Sequence, residues 1–164
     1  MKRWKDFKHL DIYNFRHKKI GFSKDIVVDF YKWKIVGISI SNSSFFSKKN
    51  GFLRNKILDA DFERGKITIK DIEVLYGDTF SKIKGIEIVD NSECIVGILD
   101  DLFIDDNFRI KAILISCGII MNFIEGKRVA LTEDLKYTSK YIKLNKSIEE
   151  TLISMPHGIS REIC

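Results

Sequence analysis

The chain has 164 residues, 45% hydrophobic and 31% charged, with one Pro and 10 Gly. That balance excludes a disordered or low-complexity protein and fits one soluble domain or two small ones. The formal net charge of +5 is unevenly placed: residues 1–80 carry 17 Lys+Arg against 10 Asp+Glu (+7), and residues 81–164 carry 11 against 13 (−2).

Residues 1–9 form a basic, aromatic leader without the apolar core or cleavage site of a secretory signal. A short β-branched strand, Ile26–Val28, runs into the turn Asp29-Phe30-Tyr31-Lys32. Trp33–Ser41 follows, with Val36, Ile38 and Ile40 on one face and Trp33, Ile35 and Gly37 on the other. The pair reads as a β-hairpin, and bulk on both faces suits a covered barrel wall. A polar, Phe-containing loop reaches Phe52. The strand Lys56–Leu58, the acidic step Asp59-Ala60-Asp61 and the alternating strand Lys66–Ile69 complete this half. The turn-rich step Tyr76-Gly77-Asp78-Thr79 marks a join.

The second half says much the same again. Ile86–Val89 opens it. Val96-Gly97-Ile98-Leu99-Asp100-Asp101-Leu102-Phe103-Ile104-Asp105 echoes Ile20-Gly21-Phe22-Ser23-Lys24-Asp25-Ile26-Val27-Val28-Asp29 at an offset of 76 (97 − 21 and 105 − 29). Phe108–Ser116 echoes Trp33–Ser41 at 75 (108 − 33). The loop Cys117–Gly126, the strand Arg128–Leu131, the acidic step Thr132-Glu133-Asp134 and the strand Tyr141–Leu144 follow in the same order. Ser147 and Glu150 form a capping box for one short helix, ended by Pro156. Such a duplicated pattern predicts two like units. The expected boundaries are 1–78, 79–146 and a tail over 147–164.

Cys94, Cys117 and Cys164 are an odd count without a Cys-x-x-Cys. They read as reduced cytosolic thiols, with Cys94 and Cys117 in apolar strand-like contexts. The longest uncharged run, Ala112–Ile124, is too short to span a bilayer. The expected location is cytoplasmic.

The order of these motifs, in both halves, resembles the PRC-barrel domain. The second half is the clearer match: Ile88-Val89-Asp90, Val96-Gly97-Ile98, Asp100–Asp105, Ala112–Ser116 and Gly126–Leu135 carry it. The first half departs more, with Trp33 and Gly37 in its hairpin. The resemblance implies an all-β protein: two small PRC-type β-barrels in tandem, packed together, with a short C-terminal helix. It also implies docking to protein partners without shared catalytic residues. The family includes the cytoplasmic part of the reaction-centre H subunit and the C-terminal half of the ribosome-maturation factor RimM. Many stand-alone bacterial and archaeal copies are also known. This chain lacks the H subunit's membrane helix, and its first half does not match RimM's N-terminal barrel.

Gly21 and Gly97 read as bulges or close backbone crossings. Asp25, Asp29, Asp101 and Asp105 recur at one spacing. Positions four apart on a strand lie about 13 Å apart, so one ion does not bridge them, and no metal site is expected. His9, His17 and His157 form no ligand or triad motif, and Glu133-Asp134 sits where the fold wants a polar turn. Neither catalysis nor a cofactor is expected. Phe45, Phe46 and Phe52 interleave with Lys48, Lys49, Arg54 and Lys56, a mixture that stacks bases and holds phosphates or simply covers a barrel mouth. Ile119, Ile120, Met121, Phe123 and Ile124 make the matching loop apolar. Either these loops bury against the other barrel or they form a partner-binding patch. The leading expectation is a non-enzymatic docking module that meets its partner through Phe45, Phe46, Phe52, Ile119, Ile120, Met121 and Phe123. The alternative is an RNA- or ribosome-associated factor using the basic first half, with Lys48, Lys49, Arg54 and Lys56 as contacts.

Overall fold

Alternating apolar residues and few helix formers in register give strands. A computed structural model, which describes residues 1–41, 50–118 and 126–155, is accordingly dominated by them. The chain divides into two compact units. The first holds Trp4–Asp29 and Lys34–Lys82; the second holds Met1–Arg3, Phe30–Trp33 and Ile83–Cys164. The N-terminal three residues and the hairpin tip therefore belong to the second unit, an assignment that a linear reading of the sequence does not anticipate.

Among the described residues, fifteen strands run in chain order. β1 is Lys2–Arg3, β2 Asp11–Asn14, β3 Lys19–Asp29, β4 Lys34–Ser41 and β5 Asn50–Leu53. β6 is Ile57–Asp61, β7 Lys66–Ile69, β8 Glu73–Val74, β9 Glu87–Val89 and β10 Ile95–Ile104. β11 is Ile110–Ser116, β12 Lys127–Leu131, β13 Leu135–Tyr137, β14 Tyr141–Leu144 and β15 Ile153–Met155.

The first unit is a seven-stranded sheet in the order β6-β7-β2-β3-β4-β5-β8. Its core gathers Ile12, Ile26, Ile38, Phe52, Ile67, Ile69 and Phe80, each fully buried. The alternating burial of β7, with Ile67 and Ile69 inward, follows directly from the period of two. Ser23 is polar yet buried; its Oγ accepts from the Leu10 N–H at 2.8 Å, which offsets the cost of burying it.

The second unit repeats that order as β13-β14-β9-β10-β11-β12-β15, with β1 added beside β10. Its core includes Ile88, Leu99, Leu102, Ile104, Ile113, Ile115, Ile142 and Leu144. The register matches as well as the order. Asp11↔Phe22, Ile12↔Gly21 and Tyr13↔Lys19 correspond to Glu87↔Ile98, Ile88↔Gly97 and Val89↔Ile95, each residue 76 further on (87 − 11, 98 − 22). Both long hairpins carry two bulges at matching places. One lies between Ser23 and Asp25 or between Leu99 and Asp101; the other lies between Val27 and Val28 or between Phe103 and Ile104. Even the turns agree. Asn14 Oδ1 accepts from the Arg16 and Lys18 N–H groups, and Asp90 Oδ1 accepts from those of Ser92 and Cys94.

A few local expectations need correction. Phe52 lies in β5 at 0% exposure, packed as core, so it is no surface contact. Cys94 is exposed in a turn, not buried in a strand. Asp59, Ala60 and Asp61 continue β6, and the loop reading missed β5, β8 and β15. The capped helix does form over Ile148–Thr151, with Ser147 Oγ accepting from the Glu150 N–H at 3.4 Å. It ends well before Pro156, because residues 153–155 pair with β12 as β15.

Candidate functional site

The four recurrent aspartates are put to structural use, in two distinct ways. Asp25 and Asp101 follow the bulges in β3 and β10 and are 4% and 5% exposed. Each turns Oδ1 onto the N–H of the next residue: Ile26 at 2.9 Å and Leu102 at 2.8 Å. Their remaining partners differ in charge. Asp25 Oδ1 also accepts from the Trp4 indole N–H at 2.8 Å, while Oδ2 accepts from the Ser81 N–H at 3.1 Å and from the Ser81 hydroxyl. Asp101 Oδ2 instead takes Arg3, with Nε at 2.8 Å and the terminal guanidinium nitrogen at 2.7 Å. Asp105 closes the β10–β11 turn, accepting from the Arg109 N–H at 2.8 Å, and Asp29 ends β3 at the corresponding place.

Gly21 and Gly97 sit where β3 and β10 run closest to the ends of β4 and β11. A Cβ on Gly21 would lie 2.5 Å from the Ser41 carbonyl oxygen, and one on Gly97 would lie 2.6 Å from Ile115 Cγ2.

In the second unit, the bulge residue Asp100 holds Lys84 at 3.0 Å and also binds Lys127. Burial pushes the Asp100 carboxyl up, but the hydrogen bonds from Lys127 and Lys84 outweigh it and hold its pKa below the ordinary carboxylate value. A depressed folded pKa contributes stability above the unfolded value and loses it as pH falls through the acidic range. Asp100→Asn should therefore cost under about 1 kcal/mol at pH 7, the pair being partly solvated, and nothing once both forms are protonated. Thermal melts of the two proteins from pH 7 downward check this: the gap should narrow as pH falls through the acidic range, and a gap that does not shrink overturns it. Asp134, which is 9% exposed, pairs with Lys146 at 2.6 Å, and that hydrogen bond holds the Lys146 ammonium above its ordinary pKa.

Two adjoining clefts open on the first unit. One, of about 330 Å³, is lined by Lys8, His9, Phe22, Lys24, Asp25, Ser41 and Ser81. The other, of about 360 Å³, shares Lys24, Asp25 and Ser81 and adds Ser39, Thr79 and Lys82. Elsewhere in this unit, Ile72, Val74 and Tyr76 point outward around β8, at 42%, 50% and 85% exposure, while Leu75 between them is buried.

The expected contact residues Phe45, Phe46, Lys48, Lys49, Ile119, Ile120, Met121 and Phe123 lie outside the described residues, as do His157 and Cys164. Arg54 is exposed, and Lys56 lies 3.8 Å from Asp71. His9 and His17 are exposed and far apart in the ladder, at the two ends of β2. Among the described residues, no group of three His, Cys, Asp or Glu side chains is disposed to hold a metal, and no helix is long and apolar enough to cross a membrane. Sequence reading missed the Lys8–Lys24 cleft and the exposed run around β8. The signal for the first was present as a charge reversal between echoed positions, Lys24 against Asp100.

No protein-family model matches this chain. A search of curated proteins likewise finds no match.

Proposed function

We propose that the protein is a cytoplasmic, non-enzymatic docking module built from two PRC-barrel-like units that arose by duplication. The matched strand order, register and bulges support the duplication. The observation that carries the docking role is the run Ile72, Val74 and Tyr76. Val74 lies in the two-residue β8, the last strand of its sheet path, and Ile72 and Tyr76 flank it; all three apolar side chains are exposed. An exposed apolar edge strand is a template for pairing with another chain, and soluble proteins usually blunt such edges with charge. The repeated aspartates support a scaffold as well, since Asp25 and Asp101 are committed to hydrogen bonds that hold their own units.

The test is affinity capture from the native cell, with and without nuclease, comparing wild type with Val74→Asp/Tyr76→Ser. These side chains are exposed, so the double variant should keep its stability within about 0.5 kcal/mol. Partners that survive nuclease but vanish with the variant bear the reading out. Capture that is unchanged in the variant removes the edge from the role, and capture lost only to nuclease points to RNA instead.

A further inference from the structure

We infer that the cleft beside Lys8 and Lys24 binds a phosphoryl group: free phosphate or a phosphate monoester. The support is a substitution between two equivalent places in one chain. In the second unit, Asp100 sits at the bulge and its carboxylate satisfies Lys84 and Lys127. In the first unit the residue at the same bulge is Lys24 (100 − 24 = 76).

Lys8 corresponds to Lys84 by the ladder itself. The His9 N–H donates to the Ser23 carbonyl at 2.9 Å and the Gly85 N–H to the Leu99 carbonyl at 2.8 Å. In return, the Ser23 N–H donates to Leu10 and the Leu99 N–H to Ile86. The carboxylate that pairs with Lys84 in the second unit is thus replaced by a second lysine beside Lys8 in the first.

Lys24 has no ion-pair partner among the described residues. Lys8 rests its ammonium over the Trp4 ring, 3.8 Å from the centroid, and Lys82 lies 4.0 Å from Asp78. His9 and Ser41 supply further donors around the same space, and Thr79 lines the adjoining cleft. The one carboxylate in the lining, Asp25, accepts hydrogen bonds from Trp4, Ile26 and Ser81. Lys8 and Lys24 thus line the cleft with two ammonium groups, and its one carboxylate is already engaged by neutral donors. A phosphoryl group offers three terminal oxygens and a charge between about −1.5 and −2 near pH 7, and lysine binds it as a point charge.

The 164-residue chain, titrated with inorganic phosphate, phosphoserine and acetate, reports binding through backbone amide shifts. Phosphate and phosphoserine should move His9, Lys24, Ser41 and Ser81 saturably, with acetate at least about tenfold weaker. Lys24→Asp reproduces the second unit's arrangement, so it should fold normally and weaken phosphate binding by at least about tenfold. The milder Lys8→Gln should weaken it too. A phosphoserine peptide that binds more tightly than free phosphate assigns the source to a phosphorylated protein; equal affinities assign a small phosphate ester. Absence of shifts at these amides overturns the site, as does undiminished binding by both variants. Acetate binding as tightly as phosphate overturns the ligand class.

Discussion

Gly97→Ala is expected to destabilise the second unit by about 2–4 kcal/mol, measured by equilibrium denaturation in guanidinium. The new methyl would lie 2.6 Å from Ile115 Cγ2 and 2.7 Å from the Ser116 carbonyl oxygen. Neither neighbour withdraws cheaply. Ile115 is fully buried, and Ser116 is held in β11 opposite Ile98. Relief requires parting β10 from β11, which breaks ladder hydrogen bonds beside the bulge. Gly21→Ala should behave alike in the first unit, where the contacts are 2.5 Å to Ser41 O and 2.7 Å to Ile40 Cγ2. Gly65 is the control. A Cβ there meets nothing within 4 Å, so Gly65→Ala pays only for its left-handed φ of +63°, about 1–2 kcal/mol. Equal losses at all three positions would show that backbone conformation, not close approach, sets the requirement.

Asp101→Asn should cost about 3–5 kcal/mol, because it strands the Arg3 guanidinium in a partly buried place without its counter-charge. The pair is tight, at 2.7 and 2.8 Å, with the two side chains 19% and 7% exposed. Arg3→Ala should cost a similar amount by leaving Asp101 buried and charged. A double-mutant cycle should then return a coupling above about 1 kcal/mol. Asp25→Asn is the informative contrast. Its partners are an indole, a hydroxyl and two backbone N–H groups, all neutral, and an amide oxygen serves some of them. The loss there should stay near 1–2 kcal/mol. If Asp101→Asn is no worse than Asp25→Asn, the ion pair adds nothing beyond its hydrogen bonds.

The sequence was most legible where side-chain chemistry dictates backbone geometry. Alternation in Lys66–Ile69 and Tyr141–Leu144 identified both strands to the residue, since one inward face suffices to define them. Ser147 and Glu150 announced the helix they cap. Short strands set by pairing alone stayed hidden. Glu73–Val74 and Ile153–Met155 exist because β5 and β12 offer open edges, and two or three residues carry no period of their own. Phe52 was misread because an aromatic amid lysines looks like a contact loop; its burial follows from its place opposite Ile38. The partners of Asp25 and Asp101 were equally illegible. They come from positions 56 and 98 residues away, a separation no local pattern records.

That remoteness bears on any attempt to halve the protein. In the second unit, Lys2–Arg3 lie against Phe103–Ile104; in the first, Thr79 bridges to Val27 and Ser81 binds Asp25. Severing the gene at the obvious seam near residue 78 would deprive Asp101 of its guanidinium and Asp25 of its serine. Each fragment would then be born missing a ligand that only the other half of the open reading frame encodes.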